Sequence, residues 1–434
     1  MTPQDPVAHL ARVILLPLAA LGLGPVLLLE WHLSSQHDLV ASAIPDVLFF
    51  EHAARGLLAG HVPYLNHFLT PPFGRFVFVY PPLTLLLTLP ALLAGSHYEV
   101  GFAAEVLALL VLGLWLLQTA LRRGGGTFPI ALVVAVLLLS LGPLLVTRVD
   151  ALQGLIVAGA ALALRNRRIT TAVVLVTLAV LVKETVVMAL LPVLGWALWP
   201  SPGAGLTEGI GARARAVGWG LVPAALLVLG FSVWSRGEVF AAALASIHRG
   251  VEIESIPATL SYLTRPWFGL STHAGDLGSV EIAGPQVAAL AAVVALLGVV
   301  ALGWGTLHFL RERRRPATAV AFAVAVGLAA TPVLSPQYLL ALVPVLVLAA
   351  VTEFEPGRGR LLLGGCLLAG LLTQLEFPYL FNSVDSLAPL GMATLALRNL
   401  ILVALTVVLA GAAPIPAPVP TSAEEPLLVT SRAG

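Results

Sequence analysis

Apolar residues in this chain come in long, nearly uninterrupted runs, and its polar residues gather in the gaps between them. A helix needs ~20 apolar residues to cross a bilayer, so each long run predicts a span. The first is Leu10–Leu29, too long for the core of a secretory signal and without a clean small-residue cleavage site, which reads as a retained helix. Others are predicted at 101–121, 128–147, 149–164, 169–182, 185–199, 217–235, 286–309, 317–334, 338–352, 361–375 and 390–412. Several are short for a span and are expected to be half-helices buried in protein.

The run Phe76–Gly95 is long enough to be one more span, but counting it would put Arg122/Arg123 and Arg165/Arg167/Arg168 on the outer face, against the positive-inside bias. If the segment that opens with Tyr80-Pro81-Pro82 lies on or dips into the outer leaflet instead, every arginine cluster falls inside, including Arg311–Arg315. The expectation is an all-α polytopic membrane protein of about twelve transmembrane helices, with both termini cytoplasmic and juxtamembrane helices in the first outer loop. One transmembrane domain covers 1–412, with outer loops at 30–99 and 237–284, and a Pro-rich cytoplasmic tail covers 413–434.

Composition narrows the function classes. With 59% hydrophobic and 10% charged residues and a mean hydropathy of +0.97, no soluble globular class fits. Lys+Arg 23 stand against Asp+Glu 22, so there is no basic surface for a nucleic acid. The single cysteine, Cys366, lies in an apolar run and reads as a small buried hydrophobe. Nothing resembles a Walker loop, a dinucleotide fingerprint or a GxSxG elbow.

The polar residues predicted outside concentrate in a few places. In the first loop, Glu51, His52 and Arg55 share one helical face, while Phe50, Ala54, Leu57 and Leu58 make the other, which predicts a short interfacial helix. Asp46 stands at its start, either as an N-cap or aimed at a bound molecule. Lys183, the only lysine, interrupts the run 169–199, where a charge costs roughly 2.5–3.5 kcal/mol on insertion scales. It either pairs with Glu184, snorkels, or contacts a phosphate. Arg148 and Asp150 interrupt another run, as a structural ion pair or as substrate contacts.

The string of Asp46, spaced small residues and two leucines, Gly60-His61-Val62-Pro63-Tyr64 and Tyr80-Pro81-Pro82-Leu83 resembles the first outer loop of GT-C glycosyltransferases. It is most similar to family 87 and to the polyprenol-phosphate-dependent mannosyltransferases. The resemblance continues at Arg148-Val149-Asp150, Leu181-Val182-Lys183 and Ser335-Pro336-Gln337-Tyr338-Leu339, over about three quarters of the chain. It implies that Asp46 is the catalytic base and that the loop lies along the outer membrane surface. In one place the pattern departs. Many relatives carry Asp-x-x-x-Tyr, whereas Phe49 and Phe50 stand here without a hydroxyl.

A sugar on a lipid phosphate already has a leaving group of low basicity, so one carboxylate to deprotonate the acceptor suffices, and attack opposite the phosphate inverts the anomeric centre. Ordinary glycoside hydrolysis needs two carboxyl groups. The departing phosphate calls for fixed positive charge, for which Lys183, Arg148 and Arg249 are candidates. If 246–255 is helical, His248, Arg249, Glu252 and Ser255 share a face that binds sugar or phosphate or is simply solvated. Trp267 is either a sugar-stacking ring or an interfacial anchor. Gln337 and Tyr338 are either a polar cap or pocket lining. Arg398, with Asn399, either snorkels or contacts a lipid phosphate.

His52, His61 and His67 share the loop of Asp46 without tight ligand spacing, so no metal or other cofactor is expected. The sequence reading is a plasma-membrane hexosyltransferase, of mannosyl type. It would use a polyprenyl-phosphate donor and a lipid-linked or cell-envelope acceptor on the extracytoplasmic side. The alternatives are a transporter or lipid flippase and an O-antigen ligase or polymerase type of enzyme. A transporter would show ionisable groups at mid-membrane depth and repeat symmetry.

Overall fold

The computed structural model describes residues 45–64, 78–123, 129–142, 144–199, 209–247, 249–275, 279–312 and 315–411. The run Leu10–Leu29, the tail 413–434, His67 and His248 lie outside the described residues. In lipid every backbone amide needs a partner within its own segment, so the apolar runs fold as helices.

In chain order they are α1 (Pro45–Leu58), α2 (Pro82–Leu87), a 3-10 stretch Pro90–His97, α3 (Tyr98–Arg123), α4 (Ile130–Leu139), α5 (Leu144–Thr147), α6 (Asp150–Arg165) and α7 (Ile169–Val182). A 3-10 turn Glu184–Ala189 leads into α8 (Leu190–Leu198), followed by α9 (Ile210–Trp234) and α10 (Glu238–Ile247). The loop beyond holds β1 (Val251–Glu252), α11 (Ile256–Leu263), β2 (Ser271–Ala274) and β3 (Val280–Ala283). Then come α12 (Val287–Glu312), α13 (Pro316–Ala330), a 3-10 turn Pro336–Tyr338 running into α14 (Leu339–Thr352), α15 (Pro356–Gln374) with a π-turn Leu375–Tyr379, α16 (Phe381–Asp385) and α17 (Pro389–Ala410).

Among the described residues, five helical segments are long and apolar enough to cross a membrane: Pro90–Arg123, α9, α12, Pro356–Tyr379 and α17. The other apolar runs make shorter helices. The predicted span 128–147 is broken, because α4 ends at Leu139 and Gly142 takes a left-handed φ of 62° before α5. The stretch from Tyr80 to His97 is not one straight helix either. It is the six-residue α2 and a 3-10 stretch kinked at Gly95.

The centre of the molecule is α6, α13 and α14, whose side chains are buried along nearly their whole length. Close approach is made possible at Gly154, where an added Cβ would stand 2.8 Å from the carbonyl oxygens of Leu340 and Ala341. By contrast α3, α9 and α12 expose rows of large apolar side chains, among them Val111, Trp115, Trp219, Leu226, Leu296 and Trp304. Apolar surface on that scale belongs against lipid. The chain is an α-helical, multi-pass membrane protein.

The loop 237–284 departs from the all-α expectation. Its three short strands form an antiparallel sheet in the order β1-β3-β2, with Ile282 opposite both Val251 and Thr272. No single helix runs over 246–255, since α10 ends at Ile247 and Ser255 N-caps α11 by accepting from the Ala258 amide at 3.2 Å. A small separate core of Ile253, Ala258, Ile282, Met392 and Leu395 fastens this loop to α17.

Candidate active site

Four helix interruptions meet at one end of the bundle. Asp46 lies in the first turn of α1, where Phe49, Phe50 and Ala53 on the inner face are buried and fix the rotation of the helix. Arg148 and Asp150 stand at the start of α6. Lys183 ends α7, its backbone extended at φ −160° and ψ 139°. Gln153 spans that break, donating to Ala179 O at 3.0 Å, which also accepts the Lys183 amide, and to Lys183 O. Thr185 in turn donates to Gln153 Oε1 at 2.9 Å.

Tyr80 comes from the Tyr80-Pro81-Pro82 segment. Pro81 holds an extended conformation and Pro82 opens α2, where a missing amide costs nothing. Thr84 ties α2 to Val182 O, next to Lys183.

Two ion pairs result, the second fully buried and the first partly exposed at Asp46. Arg148 Nε lies 3.0 Å from Asp46 Oδ2, and Lys183 Nζ lies 3.0 and 3.1 Å from the two oxygens of Asp150. The ammonium also sits 4.4 Å from the ring centre of Tyr338 and 5.5 Å from that of Tyr80. The Tyr80 hydroxyl donates to Asp46 Oδ2 at 2.8 Å. Burial, and next the charge of Asp46, push the Tyr80 phenol well above its ordinary range, so it remains a donor.

These contacts revise the sequence reading of single residues. Arg148 and Asp150 do not pair with each other, and each takes a partner from another element. Lys183 pairs with Asp150 rather than with Glu184, and its ammonium is engaged within the protein instead of snorkelling. The Asp46 carboxylate is directed at Arg148 and Tyr80, which is not the geometry of an N-cap. Spacing along the chain could not reveal these pairings, because their partners are 33 to 102 residues apart.

A cavity of about 580 Å³ lies beside this cluster. Its wall is mainly apolar, including Val180, Val187, Met188, Val228 and Phe240, with Tyr80, Tyr338, Glu184 and Arg249 as polar exceptions. Arg249 pairs with Glu252 on β1, whose carboxylate also accepts from Ser335 at 3.1 Å and whose amide donates to Pro332 O at 2.9 Å. Burial raises the Glu252 carboxyl, while the adjacent guanidinium works against that shift. Arg249 Nε is buried without a hydrogen-bond partner among the described residues. So Arg249 and Glu252 do come together, as the sequence suggested, though on a strand and loop rather than one helical face.

Gln337 and Tyr338 are buried at the start of α14, and Tyr338 lines the cavity. Arg398 is a correction. It is fully buried, donates to Glu254 O at 2.5 Å and lies 3.6 Å from Glu376, so it faces the protein interior and neither snorkels nor lines the cavity. Asn399 donates to the same carbonyl at 3.1 Å and to Thr259 at 2.8 Å. Trp267 is three-quarters exposed on the loop after α11. Among the described residues no three of His, Cys, Asp and Glu converge as a metal site.

Tyr80 is the residue that sequence reasoning missed. It was visible only as part of a motif, and its hydroxyl donates to Asp46, a contact that Phe49 and Phe50 could not make. Phe50 instead packs edge-on against the Tyr80 ring, 5.0 Å between centres.

No curated protein and no solved structure matches the chain. The sequence model of glycosyltransferase family 87 matches residues 78–336, a stretch that holds Tyr80, Arg148, Asp150, Lys183, Arg249 and Glu252 and begins after Asp46. That match covers more than half of the chain, and with the spanning helices it makes the protein a membrane glycosyltransferase that belongs to glycosyltransferase family 87.

Proposed function

We propose that the protein transfers a hexosyl group, of mannosyl type, from a polyprenyl-phosphate donor to a lipid-linked or cell-envelope acceptor, with inversion and with Asp46 as general base. One juxtaposition carries this reading: a partly exposed carboxylate and an apolar cavity with a part-buried arginine share the Tyr80 side chain as a common wall. An apolar cavity of this size suits the first units of a prenyl chain. Arg249, with a donor nitrogen left over, suits the phosphate at its end.

In this reading the acceptor hydroxyl loses its proton to Asp46 as its oxygen attacks the anomeric carbon from the side opposite the phosphate. The bond to the phosphate oxygen breaks, and polyprenyl phosphate leaves with the charge that Arg249 balances. No general acid is needed, because the leaving group is weakly basic. Lys183 and Asp150 hold the frame of the site, with the ammonium against the rings of Tyr80 and Tyr338.

An extracytoplasmic site in the cell membrane is supported by helix direction. Asp150 begins α6, Lys183 ends α7 and Tyr338 precedes α14 at the site end, whereas Arg122/Arg123 end α3, Arg165 ends α6 and Arg311 ends α12 at the other. The positive-inside bias then puts the arginine end in the cytoplasm.

The test is Asp46→Asn in membranes supplied with radiolabelled polyprenyl-phosphate mannose. Transfer is expected to disappear while the protein accumulates normally. Turnover comparable to the parent would remove the assignment of the base.

A further inference from the structure

Asp46 is held by one hydrogen bond and one ion pair, and both meet the same oxygen. Arg148 Nε is 3.0 Å and the Tyr80 hydroxyl 2.8 Å from Oδ2, while Oδ1 has no hydrogen-bond partner among the described residues. The side chain of Asp46 is 27% exposed and that of Arg148 only 7%, so the carboxylate is partly accessible while the guanidinium that faces it is buried. Both anchors make further contacts within the protein. Arg148 donates to Thr147 O at 3.1 Å, and the Tyr80 ring is packed by Phe50, Phe78 and the Lys183 ammonium.

A carboxylate on a short side chain turns freely unless one oxygen is fixed, and a base that turns spends little time aligned with its proton. We propose that Tyr80 is a positioning residue for the transfer, which with Arg148 pins Asp46 Oδ2 and thereby makes Oδ1 the oxygen that takes the proton from the acceptor hydroxyl.

The proposal rests on the reading of Asp46 as the base and adds to it a division of labour between the two oxygens. It also gives the Tyr80 ring a second duty. The ring walls the donor cavity while its hydroxyl reaches the base, so a bound donor and an aimed carboxylate share one side chain. The proton moves from the acceptor oxygen to Oδ1 as the new glycosidic bond forms and the bond to phosphate breaks, and no other reactant is required.

The experiment compares Tyr80→Phe, Asp46→Glu and Asp46→Asn, using initial rates of transfer from radiolabelled polyprenyl-phosphate mannose to the acceptors of the native membranes. Tyr80→Phe keeps the cavity wall and loses only the hydroxyl. Its kcat is expected to fall about 10- to 100-fold, with the KM for the donor within about two-fold of the parent, since misplacement by ~1 Å costs on that order.

Asp46→Glu keeps a carboxylate but carries it past both anchors, and is expected to be nearly as slow as Asp46→Asn. It changes a partly exposed residue in a first helical turn, so it remains readable if the Tyr80→Phe chain fails to accumulate. Parent-like kcat in either Tyr80→Phe or Asp46→Glu overturns the positioning role. If Asp46→Asn is inactive in the same set, the base itself survives; if Asp46→Asn turns over normally, the base reading fails first and takes the proposal with it.

Discussion

Two clusters in this molecule look alike in the sequence and differ in the fold. Asp46, Arg148, Asp150 and Lys183 form one, and Glu254, Glu376, Arg398 and Asn399 the other. Each sets a cation and carboxylates into apolar helices, at a cost that a chain does not carry without a use. In the first, Asp46 keeps an oxygen without a partner among the described residues and shares a side-chain wall with a cavity. In the second, Arg398 and Glu376 are 1% and 0% exposed, and the guanidinium closes on the backbone of Glu254 and so joins α17 to the loop beyond β1. The second cluster also leaves buried atoms without hydrogen-bond partners among the described residues, Arg398 Nε and Nη1, both Glu376 oxygens and Asn399 Oδ1, but none of these residues lines the cavity. The difference teaches that a leftover atom marks a site only where it is accessible and space lies next to it. Where the charges are shut inside the protein with no cavity beside them, the same chemistry is a fastening.

The sharpest way to break this contrast is to cut one charge from each cluster. Asp46→Asn is expected to lower turnover about 100- to 10,000-fold, the share that a positioned base supplies, and to leave thermal unfolding in detergent close to the parent. Arg398→Met should do the reverse. It leaves Glu376 buried without a counter-charge, which costs about 3–5 kcal/mol of stability, while the molecules that remain folded turn over normally. An Arg398→Met protein that is stable but inactive would move Arg398 into the machinery of transfer and dissolve the distinction.

A smaller effect is expected at the rim of the cavity. Arg249→Gln keeps a polar side chain beside Glu252 but removes the charge available to a phosphate. The KM for the polyprenyl-phosphate donor should rise about 10-fold, the value of one charge-assisted contact, with kcat less affected. An unchanged KM would mean that the apolar cavity receives its ligand without help from Arg249.

How much of this was legible beforehand follows from the range of the forces involved. Helices were readable because lipid requires long apolar runs. The predicted 169–182 matches α7 residue for residue, and 286–309 lies within one to three residues of α12. The β-sheet was not readable, since strands of two to four residues are too short for an alternating pattern. The break after α4 had its signal in Gly142-Pro143, a pair that commonly ends a helix and that an apolar run conceals.

Within the site, Asp46, Arg148, Asp150 and Lys183 could be singled out by charge and cost, but their partners could not. The Tyr80–Asp46 and Lys183–Asp150 contacts depend on how α1, α2, α6 and α7 pack, and nothing local to any of those residues encodes it. Arg398 produced the same signal as Lys183, because insertion cost is blind to whether a charge ends in a cavity or in a carbonyl.

The smallest expected effect is the most discriminating. If the second cluster is only a fastening, its ion pair can be exchanged for apolar packing, as buried pairs elsewhere can. Arg398→Met combined with Glu376→Met should recover most of the stability lost by Arg398→Met alone, to within about 1–2 kcal/mol of the parent. The details of the site favour this. Asn399 would still donate to Glu254 O, so that carbonyl is not abandoned. Burial, and next the charge of Glu252, push the Glu254 carboxyl well up, which favours its neutral form and removes its need for a cation. Met side chains fill irregular space, and the surrounding Leu395 and Leu402 are apolar. The same exchange in the first cluster, Arg148→Met with Asp46→Met, should yield folded protein without turnover. Chemical unfolding of the two double variants, read beside their transfer rates, therefore separates a pair kept for shape from a pair kept for reaction. A second-cluster variant that folds like the parent and transfers nothing would show that the separation drawn from burial and the cavity is wrong.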